Sequence, residues 1–368
     1  MLQQLEVDGG LVGCGFHGME RAGVSASIAV MTGWLTFRAA RRWRLLLAAL
    51  ALGLATAVAS AAGVLIRFSH VVAEETPKGL AVNRFKALVE QRSQGRIRVE
   101  IYPDASRYSD SDEMEALRLG AVEMLAPSLS KFGRIGFPEF ELFDLPFLFD
   151  SFDDVRRITQ GPIGERLLVQ LGRQGLVGLG YFDNGFKQMS ANRPLLEPGD
   201  FRGLRMRVQS SRVIAAQFRA LGARPVTLPF SETRRALAMG VVDGTENPVS
   251  NFWTQRMDLH QTDLTLSRHG YIGYAVVTNR SFWRSLGDVD RELVAAALND
   301  ALAFGSRIAG TQNDKALNEL RQAGTSRIHA LTAAQRARLR QAVQPVYDEL
   351  AGRIGAALVQ EVQETLRP

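Results

Sequence analysis

The sequence predicts an α/β fold of two lobes with a long helix running between them. The chain has 368 residues, 46% of them hydrophobic, and at about 150 residues per domain this is enough for two domains with buried cores. Strand and helix patterns alternate from residue 64 onward, which is typical of a largely parallel sheet with helices on its faces. One helix pattern, over 288–322, is longer than a small domain and is expected to cross between the lobes.

The N-terminal region predicts export. Residues 38–44 carry four arginines, residues 45–58 are apolar, and Ala59-Ser60-Ala61 supplies the small residues of a cleavage site. The apolar run is shorter than the ~20 residues that span a bilayer. We therefore interpret 31–61 as a signal peptide and 1–30 as an extension ahead of the natural start at Met31, and expect no membrane span after cleavage.

Composition argues against several classes of protein. The net charge of +6 arises from 44 basic and 38 acidic residues that alternate along the chain, so we expect no nucleic-acid partner. The one cysteine, Cys14, lies in the extension, which leaves neither a disulfide framework nor a thiolate metal site. Residues 13–18 match a dinucleotide-binding glycine pattern, but no strand precedes them. No cofactor and no metal is expected.

The first part of the mature chain predicts a strand–helix–strand–helix–strand unit. Its elements are a strand over 64–68, a helix through 81–89 that ends near Gly95, a strand over 97–101, a helix over 112–119 and a strand over 122–126. Short strands that alternate with helices in this way indicate parallel pairing.

The second part repeats the theme. Strands are predicted over 176–181, 204–208, 226–228, 264–266 and 272–278, with helices after Ser151, through 214–221 and over 231–239. The long helix over 288–322 is interrupted only by Gly305 and Gly310, where a bend is expected, and a helical region over 332–366 is broken at Pro345. Residues 243–248 have the chemistry of a tight turn.

The residues offer no convincing catalytic constellation, so we expect no enzyme. Residues 128–131 match the S-x-x-K pattern without its companion motifs. Anion-binding parts are better represented: Arg205 and Arg207 lie two apart on one strand, and a guanidinium can bind a carboxylate through two parallel hydrogen bonds. Arg205 is interpreted as solvated. Asn247 can either bind a ligand oxygen or cap the following helix.

Several segments together resemble one family. The chain is similar to TRAP-transporter solute-binding proteins of DctP type over essentially the whole mature length. The segments are S-Q-G-R-I-R-V at 93–99, E-A-L-R-L-G at 115–120, F-D-L-P-F-L-F at 143–149, G-L-R-M-R-V at 203–208, P-F-S-E at 229–232 and G-V-V-D-G-T-E-N-P at 240–248.

The resemblance implies a periplasmic-binding-protein (flytrap) architecture. Two α/β lobes, 62–184 plus 273–312 and 185–272 plus 313–368, would close on a small organic acid. The protein would act in the periplasm and deliver its ligand to the small and large membrane subunits of a TRAP transporter. A periplasmic sensor that presents the same anion to a signalling receptor, or a secreted α/β enzyme, are the alternatives.

The resemblance also implies ligand-binding residues. Arg207 falls on the arginine that clamps the ligand carboxylate, Asn247 on an asparagine that contacts the same ligand, and Phe230 on an aromatic position of the pocket wall. Lys187 stands where relatives often have arginine, so it would offer a point charge instead of a fork. The motifs leave open whether one or two carboxylates are recognised.

Two further candidates come from their position in the first lobe. His70 and Ser128 each follow or end a predicted strand, and ligands of α/β sheets bind at the carboxyl ends of strands. The alternative for each is a turn residue whose hydrogen bonds are satisfied within the protein.

Overall fold

The strands form one mixed sheet in a computed structural model that describes residues 63–367. In chain order they are β1 Val64–Ser69, β2 Ile97–Tyr102, β3 Met124–Leu125, β4 Leu176–Ala191, β5 Arg205–Val208, β6 Arg224–Thr227, β7 Gly244–Asn247, β8 Asp263–Asn279 and β9 Arg327–Ala330. Their order across the sheet is β2-β1-β3-β8-β4-β7-β5-β6, with β9 beside β8. The predicted extension and signal peptide, 1–61, lie outside the described residues.

Helices cover the sheet. They are α1 Pro77–Arg92, α2 Glu113–Arg118, α3 Phe152–Thr159, α4 Pro162–Gln170, α5 Arg212–Ala220, α6 Thr233–Ala238, α7 Val249–Thr254, α8 Arg280–Ser285, α9 Asp288–Ala323, α10 Ala333–Val343, α11 Pro345–Ile354 and α12 Ala356–Thr365. Short 3-10 helices at Leu129–Ile135, Pro138–Asp144 and Phe230–Glu232 connect several of them. Across 63–367, no helix is long and apolar enough to cross a bilayer.

A long two-stranded ribbon, β4 with β8, is the axis of the molecule. The two strands have 16 and 17 residues and pair antiparallel along nearly their whole length. β3 pairs with β8 at Val277 and Thr278, whereas β7 pairs with β4 at residues 188–191, toward the opposite end of the ribbon. The remaining strands therefore form two groups at the two ends, which confirms the predicted two-lobed architecture.

The predicted lobe boundaries fall within this ribbon. They lie at 184/185 and 272/273, beside a register shift of the β4–β8 ladder between Asp183 and Gly185. The side chain of Asn313, on α9 at the third predicted boundary, donates to the backbone carbonyl of Asn184 at 2.7 Å. The boundaries themselves stay a prediction.

The predicted long helix is confirmed as α9, with 36 residues, or about 54 Å at 1.5 Å per residue. It packs against α1, β4 and α7, and so contacts both lobes as predicted. The helix is continuous through Gly305 and Gly310. A Cβ atom at Gly305 would lie 3.1 Å from the Cβ of Ala81 and 3.4 Å from the ring of Phe182. This glycine allows close packing of α9 on its neighbours.

Parallel pairing of β1 with β2 and β3 agrees with the predicted unit. Three local predictions are wrong. The strand predicted over 176–181 continues to Ala191, the two strands predicted over 264–278 are one, and residues 244–247 of the predicted turn form β7. Gly244 explains the last: a Cβ there would lie 2.4 Å from the carbonyl oxygen of Ser190, so only glycine fits between β4 and β5.

Candidate ligand-binding cleft

All six residues predicted to bind ligand are buried, with exposed fractions of 7% or less. His70 follows β1 and Ser128 precedes a 3-10 helix, both in the first predicted lobe. The other four lie in the second lobe: Lys187 in β4, Arg207 in β5, Asn247 at the end of β7 and Phe230 at the start of a 3-10 turn. Their common burial is consistent with one internal cleft.

Arg207 is a buried cation that forms no ion pair within 4 Å among residues 63–367. It lies on β5 between Met206 and Val208, which are both fully buried. Its Nε and Nη2 donate to the carbonyl oxygen of Leu228 at 3.1 and 2.8 Å, and its Cζ lies 5.7 Å from the ring centroid of Phe230. Among residues 63–367 no carboxylate lies within 4 Å of its nitrogens. Burial lowers the pKa of Arg207, so an anion at this position would be strongly favoured.

Arg205 has a different environment, although it lies on the same strand. Its Nη2 lies 2.6 Å from Oδ1 of Asp243 and its Nε 3.0 Å from Oδ2, in a bidentate ion pair at the half-exposed edge. Its exposure agrees with the interpretation from sequence. Because its donors are committed to Asp243, Arg205 is not a second clamp.

Lys187 is held between two buried carboxylates. Its Nζ lies 2.8 Å from Oε1 of Glu246 and 3.5 Å from Oδ1 of Asp144, and Oε2 of Glu246 lies 2.7 Å from Nε2 of His269. Burial would raise the pKa of Glu246, but Lys187 and His269 lower it to about 2, whereas burial raises the pKa of Asp144 to about 6. The ammonium charge is therefore compensated within the protein, and the geometry disfavours the predicted direct contact of Lys187 with ligand.

Asn247 keeps its carboxamide inside the cleft. Its Nδ2 lies 3.3 Å from Oγ1 of Thr245 and 3.6 Å from Sδ of Met257. Helix α7 begins at Val249 with Pro248 at its N-cap, so Asn247 does not cap it. The structure therefore excludes the helix-capping alternative, and the contact of Asn247 with a ligand stays a prediction.

The two first-lobe candidates differ in their hydrogen bonds. Oγ of Ser128 donates to Oε1 of Gln209 at 2.7 Å. The ring of His70 is fully buried, and neither ring nitrogen has a partner among residues 63–367. Burial lowers the pKa of His70 to about 3, so the ring is neutral. The satisfied-turn alternative fits Ser128 but not His70, because an unpartnered buried polar group is costly.

Lys78 is a buried cation that the sequence patterns do not single out. It lies in the first turn of α1 and is fully buried. Its Nζ donates to the carbonyl oxygen of Ala126 at 3.0 Å and lies 3.6 Å from the ring centroid of Tyr274. Burial lowers the pKa of Lys78 to about 7.

The hydrogen bonds that join the two predicted lobes include three at the seam beside Asp110, Ser128 and Asp104. They link Oδ1 of Asp110 to the backbone N–H of Phe230 at 3.0 Å, Ser128 to Gln209 at 2.7 Å, and Oδ1 of Asp104 to Nε2 of Gln255 at 2.6 Å. A cavity of about 120 Å³ beside Asp110 and Leu228 lies at the same seam. With the predicted site residues buried beneath these contacts, the lobes are closed on each other.

A larger surface cavity does not coincide with the cleft. It has a volume of about 910 Å³ and is lined by four arginines but by none of the six predicted residues. Two of the four, Arg219 and Arg353, contact Glu349 and Glu141. The cleft is therefore defined by its buried charges and not by the volume of an open pocket.

Two α/β lobes closed over a buried guanidinium that has no carboxylate within 4 Å among residues 63–367 define a binding protein for a small anion. The chain belongs to the bacterial extracellular solute-binding proteins, family 7, whose family model matches residues 68–353. This confirms the resemblance seen in the sequence motifs.

Named relatives and solved structures agree with this family. The C4-dicarboxylate-binding periplasmic protein DctP of Rhodobacter capsulatus is 48% identical over 319 residues, 86% of this chain and 96% of the relative. A TRAP periplasmic solute-binding protein from Shewanella oneidensis, solved with bound succinate, is 40% identical with a TM-score of 0.81, covering 83% of this chain and 100% of the other. One from Pseudomonas aeruginosa with bound L-malate is 38% identical with a TM-score of 0.76, covering 78% and 99%.

Proposed function

We propose that this protein binds a C4-dicarboxylate of the succinate or malate type in the periplasm. It then delivers the ligand to the small and large membrane subunits of a TRAP transporter. The observation that carries the proposal is the buried guanidinium of Arg207, which has no carboxylate within 4 Å among the described residues. Relatives named for C4-dicarboxylates and structures holding succinate and L-malate support the ligand class.

The binding step follows from the charges of the cleft. The guanidinium fork of Arg207 pairs with one ligand carboxylate, while Asn247 and the ring of Phe230 fix its orientation. Contacts between the lobes exclude water, and a charge pair interacts more strongly at the lower dielectric that results. Release requires that the contacts between Asp110 and Phe230 and between Ser128 and Gln209 open again.

We propose a transport role without catalysis. Ser128 is the one hydroxyl among the predicted site residues, and its Oγ donates to the amide oxygen of Gln209. An amide oxygen is not a general base, so this serine is not activated as a nucleophile. The signal peptide over 31–61 and its cleavage near Ala61 remain part of the proposal and account for delivery to the periplasm.

Titration calorimetry with succinate and L-malate tests the function. Arg207→Lys keeps the charge but removes the fork, and the matched control Arg205→Lys makes the same change two residues earlier on β5. We expect Arg207→Lys to weaken binding by about 10- to 100-fold, as for loss of one charge-assisted hydrogen bond of ~1.5–3 kcal/mol. The control should bind as the wild type does. Equal binding by wild type and Arg207→Lys, or no binding of either acid by the wild type, would contradict the proposal.

A further inference from the structure

The buried charges around the cleft are distributed unevenly. Two of the buried lysines each contact two carboxylates. Lys131 lies 3.3 Å from Asp110 and 3.0 Å from Glu113, and Lys187 lies 2.8 Å from Glu246 and 3.5 Å from Asp144. Two other cations, Lys78 and Arg207, have no carboxylate within 4 Å among residues 63–367.

Lys78 is an unusual lysine in this respect. Lysine is almost never fully buried unless it is paired, yet its one hydrogen-bond partner among the described residues is the backbone carbonyl of Ala126. The ring of Tyr274 covers one side of the ammonium. Since an ammonium has three N–H donors, donors remain for a further acceptor.

Lys78 and Arg207 approach the cleft from opposite lobes. Ala126, which accepts from Lys78, lies two residues before Ser128, and Ser128 is bonded across the cleft to Gln209. Gln209 lies two residues after Arg207 along the same segment. The two unpaired cations are therefore connected through one short chain of contacts that spans the seam between the lobes.

A third unsatisfied group lies on the same side as Lys78. The ring nitrogens of His70 have no partner among the described residues, and the charge of Lys78 acts directly on this ring. A neutral imidazole can donate to a carboxylate oxygen. The first lobe thus supplies an ammonium with donors beyond the one that Ala126 accepts, and an imidazole ring whose nitrogens have no hydrogen-bond partner among the described residues.

We propose that Lys78 binds the second carboxylate of a ligand whose first carboxylate is held by Arg207. The inference rests on the proposed function and adds the residue that contacts the second carboxylate of the ligand. Each lobe contributes one unpaired cation, so a ligand with a carboxylate at each end joins the lobes, whereas a monocarboxylate leaves Lys78 without a counter-ion. The cleft therefore selects dicarboxylates over monocarboxylates of the same length.

Calorimetry with succinate and butyrate tests this selection, because a methyl group in butyrate replaces one carboxylate of succinate. The variants are Lys78→Met and Lys78→Arg, with Lys86→Met as the matched control at a half-exposed position of the same helix. We expect Lys78→Met to weaken succinate binding by about 10- to 100-fold, the effect of one charge-assisted hydrogen bond. Butyrate affinity should change less than twofold. Lys78→Arg and Lys86→Met should keep the preference for succinate.

The outcomes separate this inference from the function on which it rests. If the wild type binds succinate and Lys78→Met binds it equally well, the role of Lys78 is wrong and the proposed function stands. The role is also wrong if Lys78→Met loses both acids equally while its thermal unfolding matches that of the wild type. If the wild type binds neither succinate nor L-malate, the proposed function fails and the inference fails with it.

Discussion

Arg205 and Arg207 show that neighbours, and not residue type, decide what a charged side chain does. Both lie on β5 and both are guanidinium groups, but the first meets Asp243 at a half-exposed edge and the second meets only the carbonyl oxygen of Leu228 and a phenylalanine ring. An exposed pair of this kind contributes ~0–1 kcal/mol to stability. A buried unpaired cation is unfavourable in isolation and is retained where a ligand supplies the missing charge.

Dicarboxylate affinity should fall as pH rises above 7, because of Lys78. Burial lowers the pKa of Lys78 to about 7, and a ligand carboxylate beside it would raise that pKa, so binding above pH 7 has to take up a proton. Between pH 7 and 9, where aliphatic carboxylates stay ionised, affinity should fall by up to about tenfold per pH unit. Calorimetry over this range checks it, and buffers of different ionisation heat should show the proton uptake.

The pH dependence is assigned to Lys78 after considering the titratable and charged groups near it. The groups that act on Lys78 or face it are Glu113, Lys131, Asp110, His70 and Tyr274. His70 is neutral over the range because burial lowers its pKa to about 3, and Tyr274 is neutral because burial raises its pKa. Lys78→Arg, which stays charged, should show a nearly flat profile. A flat profile for the wild type itself would rule out titration of Lys78 on binding.

At the scale of elements, periodic segments were predictable and segments buried on both faces were not. The long helix α9 and the parallel unit of β1, β2 and β3 follow from apolar spacing. β4 does not, since from Asp183 onward it buries charged and polar residues such as Lys187 and Gln188 inside the sheet. Alternation of apolar and polar residues disappears when both faces of a strand are covered.

Among the proposed ligand contacts, the family motifs predict Arg207 and Asn247 but not Lys78. A lysine in the first turn of a helix is usually solvated, so its type gives no signal. Its position does. Lys78 shares one face of α1 with Val82, Phe85 and Val89, which are all buried, because residues at this spacing stack along a helix. A charged residue in register with an apolar stripe is the sign that could have found it.

Two helical glycines should respond oppositely to the same substitution. Gly352, in α11, has no atom within 4 Å of a would-be Cβ, so Gly352→Ala should stabilise by about 0.5–1 kcal/mol. At Gly164, in α4, the Cβ would lie 2.3 Å from the carbonyl oxygen of Thr159, so Gly164→Ala should destabilise by ~1–3 kcal/mol. Urea unfolding measures the free energy of unfolding of both variants, compared at an equal dependence on urea concentration. Shifts of the same sign would contradict the packing described.

At the scale of the whole molecule, the two lobes share one sheet. β4 and β8 pair along nearly their whole length, and residues 63–367 form one compact unit. The lobes should therefore unfold together, in a single calorimetric transition whose measured and van't Hoff enthalpies agree. Succinate should move this transition as a whole, since a ligand stabilises the state that binds it. Two resolved transitions, or a shift of only part of the peak, would show that the lobes unfold separately.

The ribbon and the long helix also bear on how such a protein can change its ligand. With the predicted lobe boundaries, β4, β8 and α9 each pass from one lobe to the other, so any single division of the gene leaves parts of both lobes in at least one fragment. Neither lobe corresponds to one continuous stretch of chain that recombination could exchange. We therefore expect new specificity in this architecture to arise by point substitutions, at positions such as the proposed ligand contact Lys78, while the fold is inherited as one piece.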